Sequence, residues 1–140
     1  MRLTIILISL LFISYSGCNK SVEPPSDPTA VILGDVVSKE NSEQLDSVLV
    51  GFKNASIPDS LVFAGDSLLT NLTDSIATYV YTLNGYFSFG WAYYSKPPVK
   101  YEDMFAYKPG KKLWRFNPNL DTVYQLISNT DSLKIRMVNK

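Results

Sequence analysis

Beyond residue 30 the apolar positions recur every second residue, the period of a half-buried β-strand. From Asp46 to Lys53, Val48, Val50 and Phe52 share one face. From Tyr86 to Tyr94 the alternation puts Phe87, Phe89, Trp91 and Tyr93 on one face, with Ser88, Gly90 and Ala92 on the other. From Ser132 to Met137, Leu133, Ile135 and Met137 point inward while Lys134 and Arg136 point outward. Val31-Ile32-Leu33 and Val36-Val37 surround Gly34, which predicts a first strand with a bulge or a close backbone approach at the glycine. Leu61–Phe63, Ile76–Thr82, Tyr101–Tyr107 and Thr122–Ile127 are further strand candidates. No long stretch holds a helical apolar period. Leu68 to Ile76 is the best place for a single helical turn, although Thr70 and Thr73 weaken it.

The breaks between these runs carry turn chemistry: Ile57-Pro58-Asp59, Asn84-Gly85, Lys108-Pro109-Gly110 and Asn117-Pro118-Asn119. Asn84-Gly85 is the strongest of them, because both residues accept positive φ. Short strands at this spacing predict an all-β sandwich or barrel.

The first twenty residues follow a different pattern. Arg2 precedes an apolar run from Leu3 to Ile13, interrupted by Thr4 and Ser9, and then Ser14-Tyr15-Ser16-Gly17-Cys18. Charge, apolar run and small residues in that order are the parts of a signal peptide, and the run is far short of the roughly 20 residues that span a bilayer. Ser16-Gly17-Cys18 resembles the lipobox of bacterial lipoproteins, with Tyr15 standing where Leu is usual. That resemblance implies cleavage before Cys18, acylation of its thiol and a membrane as partner. The alternative is an ordinary secretory signal with a cysteine near the cut. Pro24-Pro25-Ser26-Asp27-Pro28 then reads as a tether with few backbone donors and little to bury. The layout expected is a lipoprotein signal over 1–17, a flexible tether over 18–30 and one sandwich domain over 31–140, anchored in the cell envelope, at the outer membrane.

The formal charge is zero, from 13 basic and 13 acidic residues, so there is no electrostatic footprint for nucleic acid. Lys111-Lys112 near Arg115 reads as a solvated turn. Cys18 is the one cysteine, which excludes an internal disulfide.

Three segments together resemble the carboxypeptidase regulatory-like family. They are Gly34-Asp35-Val36-Val37, Leu45-Asp46-Ser47-Val48-Leu49-Val50 and Thr82-Leu83-Asn84-Gly85-Tyr86-Phe87-Ser88-Phe89. The resemblance implies a small antiparallel β-sandwich of transthyretin-like type. In it the Asn-Gly turn swings the chain over, the following Phe drops into the core and the preceding Thr starts a partnering strand. It covers Val31 to Phe89. Leu83 replaces an acidic residue of the pattern, and Ala55 to Ala77 is longer than the family's connection. An immunoglobulin-like sandwich is the alternative. The family's module is a structural or contact appendage, with an envelope protein or a glycan as partner.

The chain has no histidine, which removes the usual general base, the usual triads and most transition-metal sites. No Gly-rich phosphate loop and no EF-hand spacing occurs. On these grounds the chain is expected not to be an enzyme and to need no cofactor or metal. Six aspartates precede Ser or Thr and then an aliphatic residue, at Ser47, Ser60, Ser67, Ser75, Thr122 and Ser132. The triplet resembles the O-glycosylation acceptor of exported Bacteroidota proteins. The competing reading is a turn or cap at a strand entrance, the carboxylate accepting nearby backbone N–H groups. The aromatic load is the last signal. Phe87, Phe89 and Trp91 are expected in the core, while Tyr94, Tyr101 and Tyr107 are candidate ligand contacts, since exposed rings stack on sugars or peptides. Two readings follow: a structural or interaction role, and a carbohydrate- or peptide-binding surface lipoprotein.

Overall fold

The computed structural model describes residues 29–69 and 72–140. Ten strands form: β1 Thr29–Ser38, β2 Leu49–Lys53, β3 Phe63–Ala64, β4 Ser67–Leu68, β5 Ile76–Tyr81, β6 Tyr86–Ala92, β7 Met104–Tyr107, β8 Trp114–Arg115, β9 Val123–Ile127 and β10 Thr130–Met137. They build two four-stranded sheets, ordered β6-β1-β10-β9 and β5-β2-β7-β8, and a small β3-β4 hairpin. The fold is an all-β sandwich. One pairing departs from the antiparallel expectation: β1 and β10 run parallel, Val31 opposite Thr130 through Ser38 opposite Met137.

The main core lies between the sheets. It takes Ile32 and Val36 from β1, Phe87 and Phe89 from β6, and Leu133, Ile135 and Met137 from β10. These meet Val50 and Phe52 of β2, Met104 and Ala106 of β7, and Val48 ahead of β2. Phe52 meets Phe89 edge-on at 5.2 Å between ring centroids, a preferred aromatic geometry. The inward faces read from the alternation of β2, β6 and β10 are therefore the buried ones.

β2 is buried on its other face as well. Leu49, Val62, Phe63, Ile76 and Phe105 form a second cluster. The cover comes from within Ala55–Ala77, the stretch that is long for the family resemblance. A 3₁₀ turn at Asp59–Leu61 and the β3-β4 hairpin supply Val62 and Phe63. The expected helical turn is present at Leu72–Ser75.

Several boundaries differ from expectation. β1 starts at Thr29, and Ala30 is already fully buried, so the domain begins inside the stretch assigned to the tether. β6 ends at Ala92; Tyr93 has φ +69° and is exposed, so it does not share the face of Phe87, Phe89 and Trp91. Asn84 and Gly85, at φ +52° and +82°, make the two-residue turn their identities predict. It is closed by Leu83 opposite Tyr86, but the strands beyond it part, β5 into one sheet and β6 into the other. Thr82 lies just after β5 rather than opening a strand. Its buried hydroxyl donates to the Leu45 carbonyl at 2.8 Å and accepts from the Val48 N–H at 2.9 Å, pinning the entry to β2.

Candidate functional site

The end of the sandwich where β1 begins carries a polar cleft of about 320 Å³. Ser95 and Lys96 come from the loop after β6, Tyr101 from the turn ahead of β7, and Gln125, Asn129 and Asp131 from the β9-β10 hairpin. Pro97 and Val99 supply its apolar wall. The Tyr101 hydroxyl donates to Asp131 Oδ2 at 2.6 Å. Burial first, and then this hydrogen bond, push the Tyr101 phenol above its ordinary range. The neutral phenol is thus held as a donor. Gln125 donates to the Ser128 carbonyl at 3.0 Å. Asn129, oriented with its amide nitrogen toward the Ser128 and Ser95 carbonyls at 3.0 and 3.2 Å, ties the hairpin to the loop after β6. The cleft is rich in acceptors with one ammonium, Lys96, on its rim, an arrangement suited to hydroxyl-bearing ligands.

The three candidate tyrosines do not form one site. Tyr101 lines this cleft, where its ring packs against Phe116 at 5.5 Å. Tyr107 lines a separate apolar groove of about 330 Å³ with Leu49, Leu68, Leu69, Tyr81 and Pro109. Tyr94 is exposed beyond the end of β6 and lines neither. Gln125 and Asn129 were not singled out from the sequence, because polar residues on an edge hairpin look like solvated surface.

The aspartates of the six triplets occupy different settings. Asp46 accepts from the Asn84 N–H at 2.9 Å and Asp121 from the Asn117 N–H at 2.7 Å, so both act as turn caps. Asp66 lies in the β3-β4 turn and Asp74 in the helical turn before β5. Two departures correct the strand-entrance reading. Asp59 lies in a 3₁₀ turn, and Asp131 is inside β10. Of the acceptor hydroxyls, Ser47, Ser60 and Thr122 belong to exposed residues, and Ser67, Ser75 and Ser132 to half-buried ones. Cys18 lies outside the described residues. Among the described residues, no three carboxylates cluster as metal ligands.

Two ion clusters sit apart from the cleft. Lys53, 6% exposed on the covered face of β2, donates to the carbonyls of Ile57 at 2.7 Å and Asn54 at 3.1 Å. Its ammonium also lies 3.5 Å from Asp59 and 3.6 Å from Asp103. Arg115 donates to Asp59 at 2.7 Å and sits 4.6 Å above the Phe63 ring; this hydrogen bond is the main reason the Asp59 carboxyl is lowered. Near the C-terminus Glu40 accepts from the Asn139 N–H and the Ser38 hydroxyl, each at 2.7 Å. Those two bonds, the Asn139 N–H first, bring its carboxyl down to about 2.

No family model matches the chain. No curated protein matches it either. One solved structure that it resembles is the dioxygenase domain of a novel dioxygenase carbohydrate-binding protein fusion from the cellulolytic bacterium Streptomyces sp. SirexAA-E. The identity is 15%, the TM-score 0.40, and the match covers 86% of this chain and 83% of that one. This finding corrects the expectation that the chain is not an enzyme. The neighbour is a dioxygenase domain. At that TM-score the likeness assigns no reaction to this chain.

Proposed function

We propose that the chain is a bacterial lipoprotein of the cell envelope, acylated at Cys18, whose β-sandwich serves a structural or interaction role at the outer membrane. The observation that carries this reading is the order Arg2, Leu3–Ile13, Ser16-Gly17-Cys18, followed by a Pro-rich stretch that ends where β1 begins. The test is the Cys18→Ala variant, with the mass of the mature N-terminus read beside its fractionation. The wild-type should carry the mass of acyl chains and sediment with membranes, and the variant should be released or remain unprocessed. An unmodified cysteine in the wild-type would overturn the reading.

The module resembles the carboxypeptidase regulatory-like sandwich, and the placement of its motif segments supports this. Gly34 sits where β1 and β6 close together, Val48 and Val50 point into the core, and Phe87 and Phe89 drop into it directly after the Asn84-Gly85 turn.

The polar cleft favours a second reading, binding of a glycan. Tyr101, Gln125, Asn129 and Asp131 present both donors and acceptors around a space large enough for a sugar ring. Titration with neutral oligosaccharides followed by amide chemical shifts tests it. Shifts confined to residues 95–101 and 125–131, and lost in Asn129→Ala, are expected; a panel without such shifts would sink it.

A further inference from the structure

We infer that the end of the sandwich where β1 begins is a membrane-contacting face, with Tyr93, Tyr94, Leu126 and Ile127 entering the lipid interface and Lys96 and Lys100 on the same loop reaching outward. The inference rests on the lipid-anchor reading and adds to it which surface meets the bilayer.

Register places these residues together. Thr29, the first residue of β1, pairs with Ala92, so Tyr93 and Tyr94 continue directly past the point where the chain enters the fold. Val31 pairs with Thr130, and Thr130 pairs with Ile127, which brings the tip of the β9-β10 hairpin to the same end. The Val31 N–H also donates to the Asn129 carbonyl at 2.8 Å. Lys96 and Asn129 line one cleft there.

All four large side chains are open to solvent, Tyr93 at 74% and Ile127 at 69% exposure. Tyrosines at the level of the headgroups, aliphatic side chains beneath them and lysines that reach outward are the composition of a membrane interface. Within 93–103 and 126–131 Glu102 is the exposed carboxylate, Asp131 being engaged by Tyr101 and Asp103 lying beside Lys53; in the other sheet Asp74 is exposed ahead of β5, and Asp59 is paired with Arg115.

Exposed apolar side chains occur at the far end too, at Leu83, Tyr86 and Leu120. The tether decides between the two ends. Thr29 follows Cys18 by eleven residues, at most roughly 38 Å of extended chain. β1 has ten residues, about 33 Å of strand. For the far end to touch the bilayer, the tether would have to run almost fully extended alongside the domain. The near end reaches the surface without the connecting residues having to span the length of β1. Anchoring also holds this end at high local concentration beside the lipid, so contacts too weak to recruit a free domain suffice.

Cys18 is the one cysteine and is consumed by acylation under the anchor reading, so an added cysteine is a unique labelling site. Full-length lipidated chains carrying Ile127→Cys, Tyr94→Cys or, as control, Leu120→Cys are labelled with an environment-sensitive fluorophore. They are then inserted into phosphatidylethanolamine vesicles containing a minority of phosphatidylglycerol and a headgroup-spin-labelled phospholipid. Quenching several-fold stronger at 127 and 94 than at 120 is expected. Equal quenching at the three positions, in chains that float with the vesicles, overturns the face and leaves the anchor standing. Absence of acyl mass at Cys18 overturns the anchor and the face with it. Amide hydrogen exchange of the unlabelled chain gives a reading free of the probe. Protection over 92–95 and 126–129 on vesicle insertion supports the face; unchanged exchange there overturns it.

Discussion

The Phe87 ring lies against the backbone of Gly34, so close that a Cβ on the glycine would stand 2.7 Å from Phe87 Cζ and 2.0 Å from the Leu133 carbonyl oxygen. A side chain is excluded on two sides: by a core ring across the β1-β6 pair and by the backbone of β10. The ring has some freedom to turn away; the carbonyl belongs to the parallel β1-β10 ladder and does not.

Gly34→Ala should therefore destabilise the fold by more than about 2 kcal/mol, through overpacking and disrupted strand pairing. Gly90, one strand over, has open space where its Cβ would stand. Gly90→Ala should change stability by no more than about 0.5 kcal/mol. Urea unfolding of the two variants is the measurement, and similar midpoints would refute the close approach.

Thr82 should tolerate Ser and reject Val. Its hydroxyl both donates and accepts in a buried position, to Leu45 and from Val48. Thr82→Val keeps the shape and strips both partners, leaving the Val48 N–H buried without an acceptor, at about 1–3 kcal/mol. Thr82→Ser retains the hydroxyl and should cost well under that. Equal losses in thermal melts would show that the methyl group matters and the hydrogen bonds do not.

The alternation in β2, β6 and β10 was readable because one face of each repeat is uniformly apolar. It misled at Tyr93 and was silent on Lys53. Tyr93 continues the alternation on paper, but its backbone turns to positive φ and leaves the strand. Lys53 shares its parity in β2 with Leu49 and Gly51, and the alternation alone does not say that this face is covered. The fold buries it because the Ala55–Ala77 stretch closes over that face, a non-local event that periodicity does not encode. The parallel pairing of the first and last long strands is hidden for the same reason. Of the cleft, Tyr101 was named for its ring and Asp131 for its triplet, yet their hydrogen bond joins residues thirty apart. No local pattern in the sequence marks it.

Acid should weaken the closure of the C-terminal end. Glu40 is ordinary in the unfolded chain, near 4.5, and about 2 when folded. A carboxyl lowered by folding contributes stability that is complete above its unfolded value and lost as pH falls toward the folded one. The loss thus falls between about pH 4.5 and pH 2, and it is removed by Glu40→Gln. Stability of wild-type and variant followed by urea unfolding across this window should converge as pH falls. A constant gap between them would show that Glu40 is not the group responsible.

Lys53 and Asp103 should behave as a buried pair. The lysine is 6% exposed and the aspartate 16%, so neither is well solvated if the other is removed. Lys53→Met takes away the ammonium and strands Asp103 together with the carbonyls of Ile57 and Asn54, at an expected cost of about 3–5 kcal/mol. Asp103→Leu leaves Lys53 with those carbonyls and with Asp59. Asp59 is half exposed and shared with Arg115, so its compensation is weak. The double variant Lys53→Met with Asp103→Leu replaces both charges by apolar groups beside Phe105, and should recover much of either single loss. The double-mutant cycle by urea denaturation is the measurement. Strictly additive losses would mean that Lys53 is held by the loop carbonyls alone, and that the carboxylate of Asp103 contributes nothing to closing the Ala55–Ala77 segment over the sheet.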